Sequence, residues 1–113
     1  MTNGIRTTIY PVTDIQAAKA LFTTLLGARP AVDEPYYVHF DLGGQEVGLD
    51  PKGRAKGMTG PTTYWHVDDI AAVREELLAA GAEPAEDVRD VGNGRLVASV
   101  RDGDGNLIGL LQP

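Results

Sequence analysis

Residues 62–84 read TTYWHVDDIAAVREELLAAGAEP. The run predicts a strand, a helix cap, a helix, a glycine stop and a second strand. Residues 7–30, TTIYPVTDIQAAKALFTTLLGARP, repeat it. Thr7, Thr8, Val12, Asp14, Ile15 and Ala17 are matched by Thr62, Thr63, Val67, Asp69, Ile70 and Ala72. After one gap inside the helix, Gly27, Ala28 and Pro30 are matched by Gly81, Ala82 and Pro84. Cap, stop and proline recurring in the same order mark two copies of one supersecondary unit.

Each part of the repeated run has a physical reason. Asp14 and Asp69 can accept the free N–H groups at a helix start. Ile15, Ala18, Phe22, Leu25 and Leu26 form one apolar helix stripe, and Ile70, Val73, Leu77 and Ala80 reproduce its spacing. Gly27 and Gly81 end the helices because glycine takes the left-handed conformation without a Cβ clash. Outside the repeated run, strands are predicted at 36–42 and 45–50 in the first copy, joined by Gly43-Gly44. The second copy continues with an extended arm at 83–91, a turn at 92–94, and strands at 95–101 and 106–112. Each copy is therefore β-α-β-β-β, an α+β arrangement. One domain over 1–113 is expected, with repeats at about 5–50 and 61–113. Residues 51–60, PKGRAKGMTG, carry three glycines and three basic residues with no apolar period. They read as a flexible linker, a basic lid over a ligand being the alternative.

Composition removes several functions. The formal charge of −6 disfavours a nucleic-acid partner, which needs a basic footprint. No apolar run approaches membrane-span length. The first residues, MTNGIRTT, contain no apolar leader core, so a cytoplasmic protein is expected. Cysteine is absent, which removes thiol catalysis and disulfides.

One helix per copy covers one face of its strands and leaves the other open. Pairing two such units makes a cavity between them the natural ligand site. Alternation along each strand then lists the open face. It carries Thr7, Ile9 and Pro11, then Tyr37, His39 and Asp41, then Glu46, Gly48 and Asp50. The second copy contributes Thr62, Tyr64 and His66, then Val97, Ser99 and Arg101, then Leu107, Gly109 and Leu111. Tyr10, Val12, Trp65 and Val67 point to the helices, and Trp65 reads as a core residue. Candidate ligand contacts are Tyr37, His39, Asp41, Glu46, Tyr64, His66, Ser99 and Arg101. The tyrosines suit planar or cationic ligands. As structural side chains, the same tyrosines are strand-rim residues and the charges are rim ion pairs. Ser99 with a histidine and an aspartate has the residue types of a triad but no constrained spacing. No glycine run has the strand-to-helix setting of a phosphate loop.

The doubled pattern, VDDIAAVREELLAAGAEP and the closing RDGDGNLIGLLQ resemble the vicinal oxygen chelate superfamily of glyoxalases, bleomycin-resistance proteins and extradiol dioxygenases. The resemblance implies two β-α-β-β-β modules around a ligand cavity. In its enzymes it implies a divalent metal held by four side chains, two per module. Here those places fall on Thr7, Gly48, Thr62 and Gly109, none a usual ligand. A two-residue shift at Gly48 would bring in Glu46 or Asp50. The resemblance also implies a homodimer.

The expected function is therefore metal-independent binding of a small organic ligand, cationic or aromatic, for drug sequestration or ligand sensing. No cofactor, metal or catalytic residue is assigned. The alternative is a lyase, isomerase or dioxygenase using His39, His66, Asp41 or Glu46. A third reading is an interaction protein whose cavity has closed.

Overall fold

A computed structural model describes residues 2–113, and within them the chain forms two compact units. The first is Arg6–Thr62; the second joins residues 2–5 to Thr63–Pro113. Elements run β1 (Ile5–Pro11), α1 (Ile15–Leu26), β2 (Val32–Glu34), β3 (Tyr37–Leu42) and β4 (Gln45–Asp50), then β5 (Thr62–His66), α2 (Ile70–Ala79), β6 (Glu83–Pro84), β7 (Arg89–Asp90), β8 (Leu96–Arg101) and β9 (Leu107–Gln112). Strand order in the first unit is β2-β3-β4-β1, and in the second β5-β9-β8-β6, with β7 also on β8. In each, one parallel pair, β1 with β4 or β5 with β9, is flanked by antiparallel neighbours. This is the α+β pattern expected from the repeat.

The caps work as their residue types dictate. Asp14 Oδ1 accepts the Ala17 amide at 3.0 Å, and Asp69 Oδ1 accepts the Ala72 amide at 3.1 Å. Gly27 closes α1 at φ 63°, in the region where a Cβ would be strained. In the first unit Val38, Phe40 and Leu49 are fully buried, packed against Tyr10, Val12, Ile15, Ala18, Phe22, Leu26 and Val47. Truncating Phe40 in such a core costs about 3–5 kcal/mol. The second core gathers Val67, Ile70, Val73, Ala98 and Leu110, with Leu77 and Leu96 against it.

Three expectations are corrected. Leu25 is 72% exposed, because α1 turns Leu26 rather than Leu25 onto the sheet. Ala80 is likewise exposed, falling at the C-cap beyond the last turn of α2. Residues 51–60 are not a featureless linker. Asp50, 8% exposed, accepts the Lys52 amide at 2.8 Å and pairs with Lys56 Nζ at 2.8 Å. A 3-10 turn at Arg54–Lys56 follows, and Met58 is buried. Gly53 is needed there: an added Cβ would lie 2.8 Å from Pro11 Cβ and 2.9 Å from Met58 Sδ.

Two further features were not expected. Residues 2–4 lie along β5: the Asn3 amide donates to the His66 carbonyl at 2.8 Å, and the His66 amide donates to the Gly4 carbonyl at 2.9 Å. The arm at 83–91 is interrupted by a bulge. Pro84 faces Val100 and Arg89 faces Val97, so the arm carries two more residues than β8 between those points.

Candidate functional site

The open face of the first unit gathers a small polar group. With Val38, Phe40, Val47 and Leu49 turned to α1, strand alternation sends Tyr37, His39, Glu46 and Gly48 to the other side. The β1–β4 ladder sets Thr7 opposite Glu46, and the β3–β4 ladder sets His39 opposite Gly48. Thr7 Oγ1 donates to Glu46 Oε1 at 3.3 Å, and His39 Nε2 lies 3.5 Å from the same oxygen. One carboxylate oxygen thus accepts from a hydroxyl and lies beside an imidazole nitrogen that makes no hydrogen bond. Glu46 is 18% exposed and within reach of a ligand; the His39 side chain is 15% exposed, but its Nε2 is buried. The Tyr37 ring stands edge-on to His39, with ring centres 6.1 Å apart.

The glycines explain where the tyrosines sit. A Cβ at Gly48 would overlap the Tyr37 hydroxyl and lie 2.9 Å from its Cζ. A Cβ at Gly109 would lie 2.6 Å from Tyr64 Cδ2 and 2.8 Å from the Thr63 carbonyl oxygen. The two glycines hold matching places, since Gly48 faces Ile9 on β1 and Gly109 faces Tyr64 on β5. Ile9 and Tyr64 each lie two residues past the matched threonines Thr7 and Thr62. The space beside each glycine is therefore filled by a tyrosine ring and does not stand open.

The remaining candidates have structural work. The Ser99 hydroxyl accepts the Glu86 amide at 3.0 Å, while Ser99 exchanges backbone bonds with Ala85 and Glu86. It pins the bulge. Arg101 donates to the Gly105 carbonyl at 3.1 Å, and Asp41 accepts the Gly44 amide at 3.4 Å; both serve turns. His66 is 6% exposed, with its backbone tied to residues 3 and 4. Tyr64 is half-buried over Gly109. Trp65, expected in the core, is 36% exposed on the helix side of β5. Thr7 was read only as a lost ligand position; its bond to Glu46 depends on β1–β4 register, which spacing along the chain does not give.

The four-ligand metal site implied by the resemblance does not fit these residues. Two places are glycines covered by rings. The other two are threonines, 3% and 4% exposed, whose hydroxyls are poor ligands for such metals. Among the described residues, no group of three or more His, Cys, Asp or Glu side chains comes together that could hold a metal ion. No helix among them is long and apolar enough to cross a membrane.

Comparison with known proteins agrees with the architecture. The family model of the Glyoxalase/Bleomycin resistance protein/Dioxygenase superfamily matches residues 4–110. No curated protein sequence matches the chain. A superfamily member from Vibrio splendidus has a TM-score of 0.71 at 21% identity, covering 96% of this chain and 99% of its own. Methylmalonyl-CoA epimerase from Mycobacterium tuberculosis has a TM-score of 0.70 at 16% identity, covering 99% and 89%. The Mn(II)-bound glyoxalase from Novosphingobium aromaticivorans has a TM-score of 0.73 at 21% identity, covering 98% of this chain and 39% of that one. Likeness at such identities speaks for the fold alone. With the family model matching nearly the whole length, the chain belongs to the glyoxalase/bleomycin resistance protein/dioxygenase superfamily.

Proposed function

We propose that the chain binds a small organic molecule without a divalent metal, on the open faces of its units. The observation that carries this reading is glycine at two of the expected ligand positions, each lying under a tyrosine ring. In the first unit, Tyr37 offers a π surface and Glu46 a carboxylate, with His39 beside it. A cationic or amphipathic aromatic compound suits that combination, since a ring face attracts a cation and the carboxylate neutralises it. The formal charge of −6 favours the same ligands. Tyr64 and His66 are the candidates in the second unit, on its own first strand. Drug sequestration or ligand sensing in the cytoplasm, by a homodimer, completes the reading. Sedimentation of only a 12.0 kDa species at micromolar concentration would remove the dimer from it.

One observation favours a second reading. The Thr7–Glu46–His39 group has the residue types to take and hold a proton. Two of the structural relatives are an epimerase and a glyoxalase. On that reading Glu46 removes a proton from a small metabolite and His39 orients the carboxylate.

Calorimetric titration of ethidium and crystal violet, in EDTA and then with Zn²⁺, Ni²⁺, Mn²⁺ or Fe²⁺ restored, tests the first reading. Micromolar binding in EDTA is expected, weakened about tenfold in Glu46→Gln, one charged contact being worth about 1.4 kcal/mol. Binding or turnover only after metal is restored would replace it with the enzyme reading.

A further inference from the structure

The outer face of α1 is apolar where the outer face of α2 is charged. Leu21 and Leu25, one helical turn apart, are 69% and 72% exposed. No other large aliphatic side chain among the described residues is more exposed than Val91, at 46%. Gln16, Ala17, Ala20 and Thr24 are exposed around the leucines, so this face carries no charge. The one charged residue of α1, Lys19, is bonded to Asp33 at 3.1 Å. The fold itself does not need the leucines. The repeat sets Ala20 and Leu21 against Glu75 and Glu76, both exposed on α2, so the same frame closes with carboxylates at those places. Contiguous exposed apolar surface of this kind marks an interaction site.

Charge indicates what covers it. The chain carries −6, and two such copies repel wherever acid faces acid. Residues 15–32 contain no acidic residue, and their charges are Lys19 and Arg29. Arg29 is exposed just past the end of α1, and none of the ion pairs among the described residues uses it. Asp14 is exposed at the other end, with one carboxylate oxygen on the Ala17 amide. The helix thus presents an acid at its start, a base beyond its stop and two leucines between them. Turned about a two-fold axis, that order is its own complement. Leu21 packs on Leu25 of the partner subunit, and Arg29 comes toward Asp14 of the partner subunit. We infer that two copies of the chain pair through this face, α1 antiparallel to α1. The inference rests on the homodimer of the proposed function and names its surface. Because α1 packs on Val38, Phe40 and Leu49, the pairing leaves the Tyr37–His39–Glu46 side of the sheet open to a ligand.

Sedimentation equilibrium of the full chain at micromolar concentration should show a species of twice 12.0 kDa. Leu21→Glu installs the residue that α2 already carries at the matched place. It should raise the dimer dissociation constant about tenfold or more while keeping the parent's circular dichroism. Arg29→Glu leaves α1 untouched and sets like charges together at both ends of the pair. It should weaken the dimer about tenfold, and it decides the matter if Leu21→Glu does not fold. Glu76→Gln, on the outer face of α2, should leave the dimer unchanged. A parent chain that sediments only at 12.0 kDa overturns the inference together with the homodimer. A dimer that survives the folded variants at parental affinity overturns the surface alone. Ethidium binding in EDTA, measured on the same samples, separates this from the ligand reading: a dimer sensitive to both variants that binds no ethidium supports the surface and counts against that reading.

Discussion

The two units keep one frame and differ in what fills it. Both helices are capped by an aspartate at the same place, with bonds of 3.0 and 3.1 Å. Both are tied to the following arm by an ion pair, Lys19–Asp33 in the first unit and Arg74–Asp87 in the second. Both carry a glycine under a tyrosine, but the ring comes from different strands: β3 supplies Tyr37, whereas β5 supplies Tyr64. The walls diverge. Where the first unit places His39 and Glu46, the second places Ser99 and Leu107, so the polar group has no counterpart. Where the first unit packs Tyr10 on Phe22, the second has Trp65 beside a groove. The two copies share the parts that make the fold and differ in the residues that line their faces.

The sharpest way to break this comparison is to give each glycine a methyl group. At Gly109 the new carbon meets the fixed Thr63 carbonyl as well as the Tyr64 ring; at Gly48 its nearest atoms all belong to the end of the Tyr37 side chain. Gly109→Ala should cost about 3 kcal/mol and Gly48→Ala about 1 kcal/mol, read from urea unfolding. Equal costs would mean that the two tyrosine-covered positions are not packed as described. The helix–sheet cores should respond to an exchange of their distinguishing residues. Phe22→Leu should cost about 1–1.5 kcal/mol by opening a gap, whereas Leu77→Phe should gain about 0.5–1 kcal/mol by filling one. Loss of stability in both would show that the second core is already full.

The smallest effect separates the closing turns. Asp41 accepts one amide at 3.4 Å, whereas Asp102 accepts the Asn106 side chain, the Asn106 amide and the Asp104 amide, each at 2.9 Å. The Asn106 side chain, then its amide, hold the Asp102 carboxyl below its ordinary value of 3.8, with desolvation opposing them and the Asp104 amide adding to them. A depressed folded value means that the stabilisation is complete above 3.8 and is lost as pH falls through the lower folded value. Asp102→Asn should therefore flatten the acid side of the stability profile below about pH 4 and change little at neutral pH. A profile identical to that of the parent chain would contradict the assignment.

The frame was legible because its determinants are local. Asp14 and Gly27 act within a turn of their own position, and alternation in YVHFDL needs no distant partner. Leu25 was misread because Leu25 and Leu26 both sit near the edge of the stripe, and only the sheet decides which is covered. Residues 51–60 looked mobile because their order comes from Asp50 and Met58 rather than from a period. The Ser99 hydroxyl was read as a ligand contact because the bulge it pins depends on the register of another strand. Trp65 was placed in the core because alternation turns it to the helix side, whereas its ring is left 36% exposed there.

The pairing of residues 2–4 with β5 has a consequence for the order of events during synthesis. Thr2 and its partner His66 are 64 residues apart in sequence, and long-range pairings must wait for the chain between them. The first unit can close once residue 62 has left the ribosome. Residues 2–4 cannot make this pairing during that step, because their partner strand does not yet exist. They are made before the first unit and belong to the half that is finished after it.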